Sequence, residues 1–190
     1  MRPLARSCCT ISSLLTASVP AMTSAQGFAE AWHRLIFAQG MSEAWRLMTE
    51  DFRRVVAQTA MNSARERGEH VDATVEALSK ASPKAEYVHD FYDAASKILQ
   101  NACTVEPSMV KAGKTVRVEA PAYEVVRLYV LEDLAVDERG ERYLPPETSA
   151  RALTLIVTAE EYGSWRMAGI GAVLSPGWPP TVLWQPEHQV

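Results

Sequence analysis

Glu124 is the carboxylate that the sequence places closest to acid/base chemistry. In YEVVRLYVL (123–131) it shares alternate positions with Val126, Leu128 and Val130. A strand here therefore puts one carboxyl on an otherwise apolar face. Burial penalises the charged form and raises a carboxyl's pKa, and a carboxyl so shifted serves as a general acid or base. Tyr129 and His33 are the candidate hydrogen-bond partners for it. The competing reading, which the sequence favours, is a strand-end carboxylate that reaches solvent or pairs with Arg117 or Arg166. The strand's other face carries Tyr123, Val125, Arg127, Tyr129 and Leu131. Arg127 and Tyr129 suit an anionic or hydroxylated ligand, or the rim of a subunit contact.

Other chemistries find less support. GIGAV (169–173) has two glycines of a dinucleotide-binding fingerprint but lacks the third, and Pro176, Pro179 and Pro180 exclude the helix that must receive the pyrophosphate. The stretch reads as a strand with Trp165, Met167 and Gly169 on one face, its glycines allowing close approach of another backbone or a ligand. No GxSxG motif is present. Of the four histidines, His188 stands in the tail, His70 borders a loop, and His33 and His89 lie off the apolar stripes of their helices. No histidine pair and no cysteine pair has ligand spacing, so neither a metal nor any other cofactor is expected. Cys8 and Cys9 are adjacent, and Cys103 is expected to be a small buried residue.

The elements that must position these residues fall into two halves. The net charge of −4 argues against a broad nucleic-acid-binding face. Arg53-Arg54 and Arg65/Arg67 are interleaved with Glu50, Asp51 and Glu66 and read as a solvated helix face. Between Met41 and Glu106 the only glycine and proline are Gly68 and Pro83, and this half reads as helices. Phe28, Ala31, Trp32, Leu35 and Ile36 mark the first, with Gly40 suited to a left-handed cap. Ser42 is expected to cap a short second helix, Thr49 a third ending near Gly68, and Asp72 a fourth. Ser82-Pro83 opens a fifth, with Tyr87, Val88, Phe91, Ala95, Ile98, Leu99 and Ala102 inward. From Pro107 onward the period changes to two: TVRVEA (115–120), YEVVRLYVL, ALTLIVTAE (152–160) and a hairpin through 161–164 read as an antiparallel meander. The fold class is α+β, with N-terminal helices packed on a mostly antiparallel C-terminal sheet.

AWHRLIFAQG (31–40), a second short helix, EDF (50–52) opening a third, and a closing strand with Trp165-Arg166-Met167 resemble the NTF2-like superfamily, which includes SnoaL-like cyclases and ketosteroid isomerases. The resemblance is one of layout and spans residues 27–175. It implies a curved, cone-like sheet around the helices, an apolar pocket in the cone, and dimerisation through the sheet's outer face. The stretch holding the fourth and fifth helices departs from the usual three-helix layer. The Tyr and Asp set of the isomerases has no counterpart that can be placed here, and layout alone confers no activity.

Residues 1–26 are read as a leader and 176–190 as a Pro/Trp-rich tail. Residues 1–29 contain no acid. Translation from Met22 implies a cytoplasmic protein, whereas residues 1–25 as a targeting segment imply export or an organelle. No apolar run reaches the roughly 20 residues of a membrane span. The first functional expectation is a small-molecule-binding or accessory module, not an enzyme, with Trp32, Phe52, Phe91 and Trp165 as pocket walls. The second is a homodimeric interaction module using the mix of Tyr123, Arg127, Tyr129, Thr154 and Ile156 on the sheet, together with Trp178 and Trp184. The third is a cofactor-free isomerase, cyclase or dehydratase using Glu124.

Overall fold

A computed structural model describes residues 24–38, 40–70, 72–80, 89–118, 123–146, 149–160 and 164–171. The leader up to residue 23, Ser82-Pro83, the 161–163 turn and the Pro/Trp-rich tail lie outside these described residues. Five helices precede the strands: α1 (Ala25–Phe37), α2 (Met41–Arg46), α3 (Glu50–Glu66), α4 (Val75–Lys80) and α5 (His89–Cys103). The strands are β1 (Val110–Val118), β2 (Tyr123–Val130), β3 (Ala135–Val136), β4 (Arg142–Tyr143), β5 (Ala152–Ala159) and β6 (Trp165–Ile170). The main sheet is antiparallel, in the order β1-β2-β5-β6, and β3-β4 form a separate two-stranded hairpin. This is the α+β arrangement expected from the change of period.

The caps follow local chemistry. Ser24 accepts from the Gly27 amide at 3.2 Å and starts α1. Thr49 accepts from the Phe52 amide at 3.3 Å and starts α3, whose first turn carries Glu50 and Asp51, favourable at the positive end of the helix dipole. Two expected caps are corrected. α2 begins at Met41 without a side-chain cap, so Ser42 is already inside it. α4 is opened by Thr74, whose hydroxyl accepts from the Ala77 amide at 3.1 Å, in place of Asp72. Gly40 has φ −83°, not a left-handed value. A β-carbon there would stand 2.9 Å from Leu35 Cδ2, so the glycine answers a close packing contact.

α1, α2, α3 and α5 meet the sheet over one core. Trp32, Trp45, Phe52, Leu99, Leu128, Leu155 and Met167 are fully buried in it. Trp32 Nε1 donates to the Ala44 carbonyl at 3.1 Å, which lets an indole sit there without an unmet donor. On α5 the buried positions are Tyr92, Ala95, Leu99 and Cys103. The outer edge of β6 is partly paired: Met167 N donates to the Leu47 carbonyl at 2.7 Å and Thr49 N to the Met167 carbonyl at 2.8 Å. Glu30 of α1 accepts from the Ala112 amide at 2.9 Å, next to the register shift between Ala112 and Thr115 in β1.

The sheet faces need two corrections. Val126 and Leu128 of β2 and Leu153, Leu155 and Val157 of β5 lie in the core shared with the helices, and Val130, on the same face of β2, is buried. In β6, a register shift opposite Ile156/Val157 turns Ile170, not Gly169, to the side of Trp165 and Met167. Ile156, expected in the exposed outer mix, is fully shielded.

Candidate functional site

The alternation of β2 separates the residues proposed for acid/base chemistry. Glu124 stands half-buried at the end of the helix-side row, opposite Arg117 of β1 and Val157 of β5. Tyr129 is an odd number of positions away and therefore on the other face. Its ring covers Gly113, where a β-carbon would approach Tyr129 Cε2 to 2.5 Å. Arg166, one expected partner of Glu124, is held instead by Glu160 at 2.9 Å and by a hydrogen bond to the Arg46 carbonyl. His33 is fully buried on α1, edge-on to Phe37 with ring centroids 5.2 Å apart. Burial pushes its pKa below the ordinary imidazole value, with the Val105 backbone offsetting part of the effect and Arg34 adding to it. Neither ring nitrogen reaches good hydrogen-bond geometry among the described residues. The structure does not assemble Glu124, Tyr129 and His33 into one site.

The four expected pocket aromatics also separate. Trp32 and Phe52 are core residues with ring centroids 6.3 Å apart, and Trp165 packs on the margin of the same core. Phe91 lines a cleft. It stacks edge-on against Trp45 at 5.3 Å on one side and opens on the other into a groove between α3, α4 and α5.

This groove has a volume of about 450 Å³. Small residues make it: Ala60 and Ala64 lie one turn apart on α3, and Ala94 faces them from α5. Met61, Leu78 and Phe91 complete an apolar floor. Arg67, Glu69, His70, Asp72 and Asp90 stand at its mouth. Arg67 and Glu69 form a two-pronged pair at 2.7 and 2.9 Å, whose hydrogen bonds hold the carboxyl below and the guanidinium above their ordinary values. With Arg67 so engaged, the remaining mouth groups are two carboxylates and an imidazole. α4 is tied to α3 by Arg54, which reaches Glu76 at 3.1 Å and Glu50 at 2.8 Å, and by a Lys80–Glu76 pair. A second cleft of about 350 Å³ lies between Tyr129, Gly113 and the β3–β4 hairpin.

In the sequence His70 borders a loop and Asp90 follows His89 off the apolar stripe of the fifth helix, so neither is marked as a site residue. The alanine spacing on α3 is the signal that could have found the groove, because small residues one turn apart let other elements approach without filling the space between.

Among the described residues, no group of three or more His, Cys, Asp or Glu is placed to hold a metal ion. Cys103 is buried and its thiol is pushed up to about 12 by burial, which keeps it protonated and poorly nucleophilic. No described helix is long and apolar enough to cross a membrane. Comparison of the chain with protein-family models, curated proteins and solved structures finds no match.

Proposed function

We propose that this chain is a small-molecule-binding or accessory module of NTF2-like layout, and that its ligand is a compact apolar molecule with a hydrogen-bond-donating or cationic group. The observation that carries the reading is the groove between α3, α4 and α5: about 450 Å³, apolar within and polar at the mouth. That volume falls in the range of roughly 300–1,000 Å³ typical of ligand sites. The ligand's apolar body displaces water from Ala60, Ala64, Leu78 and Phe91, while Asp72, Asp90 and His70 fix its polar end. The layout supports the family reading: α1, short α2 and α3 precede an antiparallel sheet that closes on Trp165-Arg166-Met167, with α4 and α5 added. The site lies on the helical flank, not inside a cone, and binds its ligand without a metal or nucleotide.

The test is a titration with N-phenyl-1-naphthylamine, a neutral apolar dye that brightens when removed from water. Saturable one-site binding is expected, and Ala94→Leu, which extends a half-buried wall residue into the groove, should weaken it at least tenfold without changing the far-UV circular dichroism. Equal affinity in the variant, or no saturable binding, overturns the groove as the site.

A further inference from the structure

The face of the main sheet turned away from the helices has a shielded apolar spot that the described elements leave unexplained. Ile156 of β5 is 0% exposed and Ala168 of β6 is 6% exposed, yet neither belongs to the core shared with the helices. Ile156 alternates with Leu155 and Val157, which do face the helices, so its side chain points to the opposite side. Its neighbour across the ladder is Val125, and Val116 on β1 is 56% exposed. The described helices gather on the other face. The β3–β4 hairpin flanks the sheet at the Tyr129 end, four residues along β2 from Val125.

We infer that residues 172–190 dock across this outer face, seated on Ile156 and Val125 through Trp178 and Trp184. The described chain leaves β6 at this spot: Gly171 has a left-handed φ of +57°, and its amide donates to the Thr154 carbonyl at 2.7 Å. The turn therefore delivers residue 172 two positions along β5 from Ile156. The 19 residues after Gly171 extend to at most about 65 Å, whereas four strands span only about 14 Å. Reach is ample. The composition fits an apolar seat: Val173, Leu174, Trp178, Val182, Leu183 and Trp184 occur with Glu187 as the single acid and no Lys or Arg. Pro176, Pro179, Pro180 and Pro186 lack the amide that a ladder needs, so the segment docks by side chains and not as a further central strand. A second copy of the chain is the rival occupant, and burying the spot intramolecularly removes the patch on which a sheet-to-sheet dimer would form.

The experiment places the photoreactive residue p-benzoylphenylalanine at Val125 in the full chain, in an equal mixture of ¹⁵N-labelled and unlabelled protein. After irradiation the cross-linked peptides are mapped by mass spectrometry. Cross-links from position 125 to residues 172–190, carrying a single isotope composition, are expected, and the double variant W178A/W184A should reduce their yield at least fivefold. Mixed-isotope cross-links assign the face to a second copy and overturn the proposal, as does the absence of any cross-link to residues 172–190. If the Val125 substitution disturbs folding, the same probe at half-buried Thr154, on the same face, gives the same reading.

Discussion

His33 is an imidazole without room for its own charge. Its burial on α1 and the nearby Arg34 both disfavour protonation, and burial is the larger effect. The pKa in the folded state lies below the ordinary 6.5, so just below pH 6.5 the unfolded chain binds the proton and the folded chain resists it. The stability that depends on neutral His33 is then fully present above pH 6.5 and declines as the pH falls toward the depressed folded value. Glu69, Glu76 and Asp133 are carboxyls held below their ordinary values by Arg and Lys partners, and they act in a lower window, with stability lost as pH falls below about 4.5. The two windows are separable. Urea unfolding between pH 7.5 and 5 should show a falling midpoint in the native chain, and His33→Leu should flatten it. The same slope in both proteins would mean that His33 is protonated at no cost. A buried neutral histidine of this kind is legible in the sequence only as a residue beside Trp32; which side of α1 faces the α5–β1 connection is decided by packing.

At the scale of elements, periodicity carried most of the information. The 3.6-residue repeat of Trp32, Leu35 and Ile36 and the two-residue repeat of Val126, Leu128 and Val130 both appear in the described structure, each set on one packed face. Caps were less legible, because several residues near each start can accept an amide and only the final geometry selects Thr74 over Asp72. Face assignment failed at Ile156 because strand alternation shows which residues share a side and not whether that side is covered. One element boundary carries strain that the sequence hides. Thr104 follows α5 with φ +53°, the only non-glycine with positive φ among the described residues, and its amide donates to the Gln100 carbonyl at 3.1 Å. A β-branched residue is costly in the left-handed region, which glycine enters freely. Thr104 is exposed, so little packing is lost on its removal. Thr104→Gly should therefore raise stability by about 1 kcal/mol, read as a higher urea midpoint at an unchanged slope. An unchanged or lower midpoint would show that this left-handed turn is not strained.

For the whole molecule, helices and sheet are joined through one set of buried side chains, so neither half has a core of its own. Met167 stands at the join: its side chain lies in the shared core, and its backbone holds Leu47 and Thr49 between α2 and α3. The groove arises at the same scale. Ala60 and Ala64 are visible in the sequence, but Leu78, Asp90 and Ala94 reach them only because α4 and α5 pack back on α3. The aromatics expected as walls, Trp32 and Phe52, are buried in the shared core instead. Met167→Ala removes most of a fully buried side chain, and such truncations cost about 2–5 kcal/mol. If the two halves share one core, that loss must appear equally in every probe. Far-UV circular dichroism at 222 nm reports mainly the helices, and the amide I band near 1,630 cm⁻¹ reports the strands. Both should give a single coincident thermal transition in the native chain, and both should shift down together in Met167→Ala. A variant in which the strand signal melts first while the helical signal keeps its midpoint would mean that the helical layer, with its groove, is stable without the sheet.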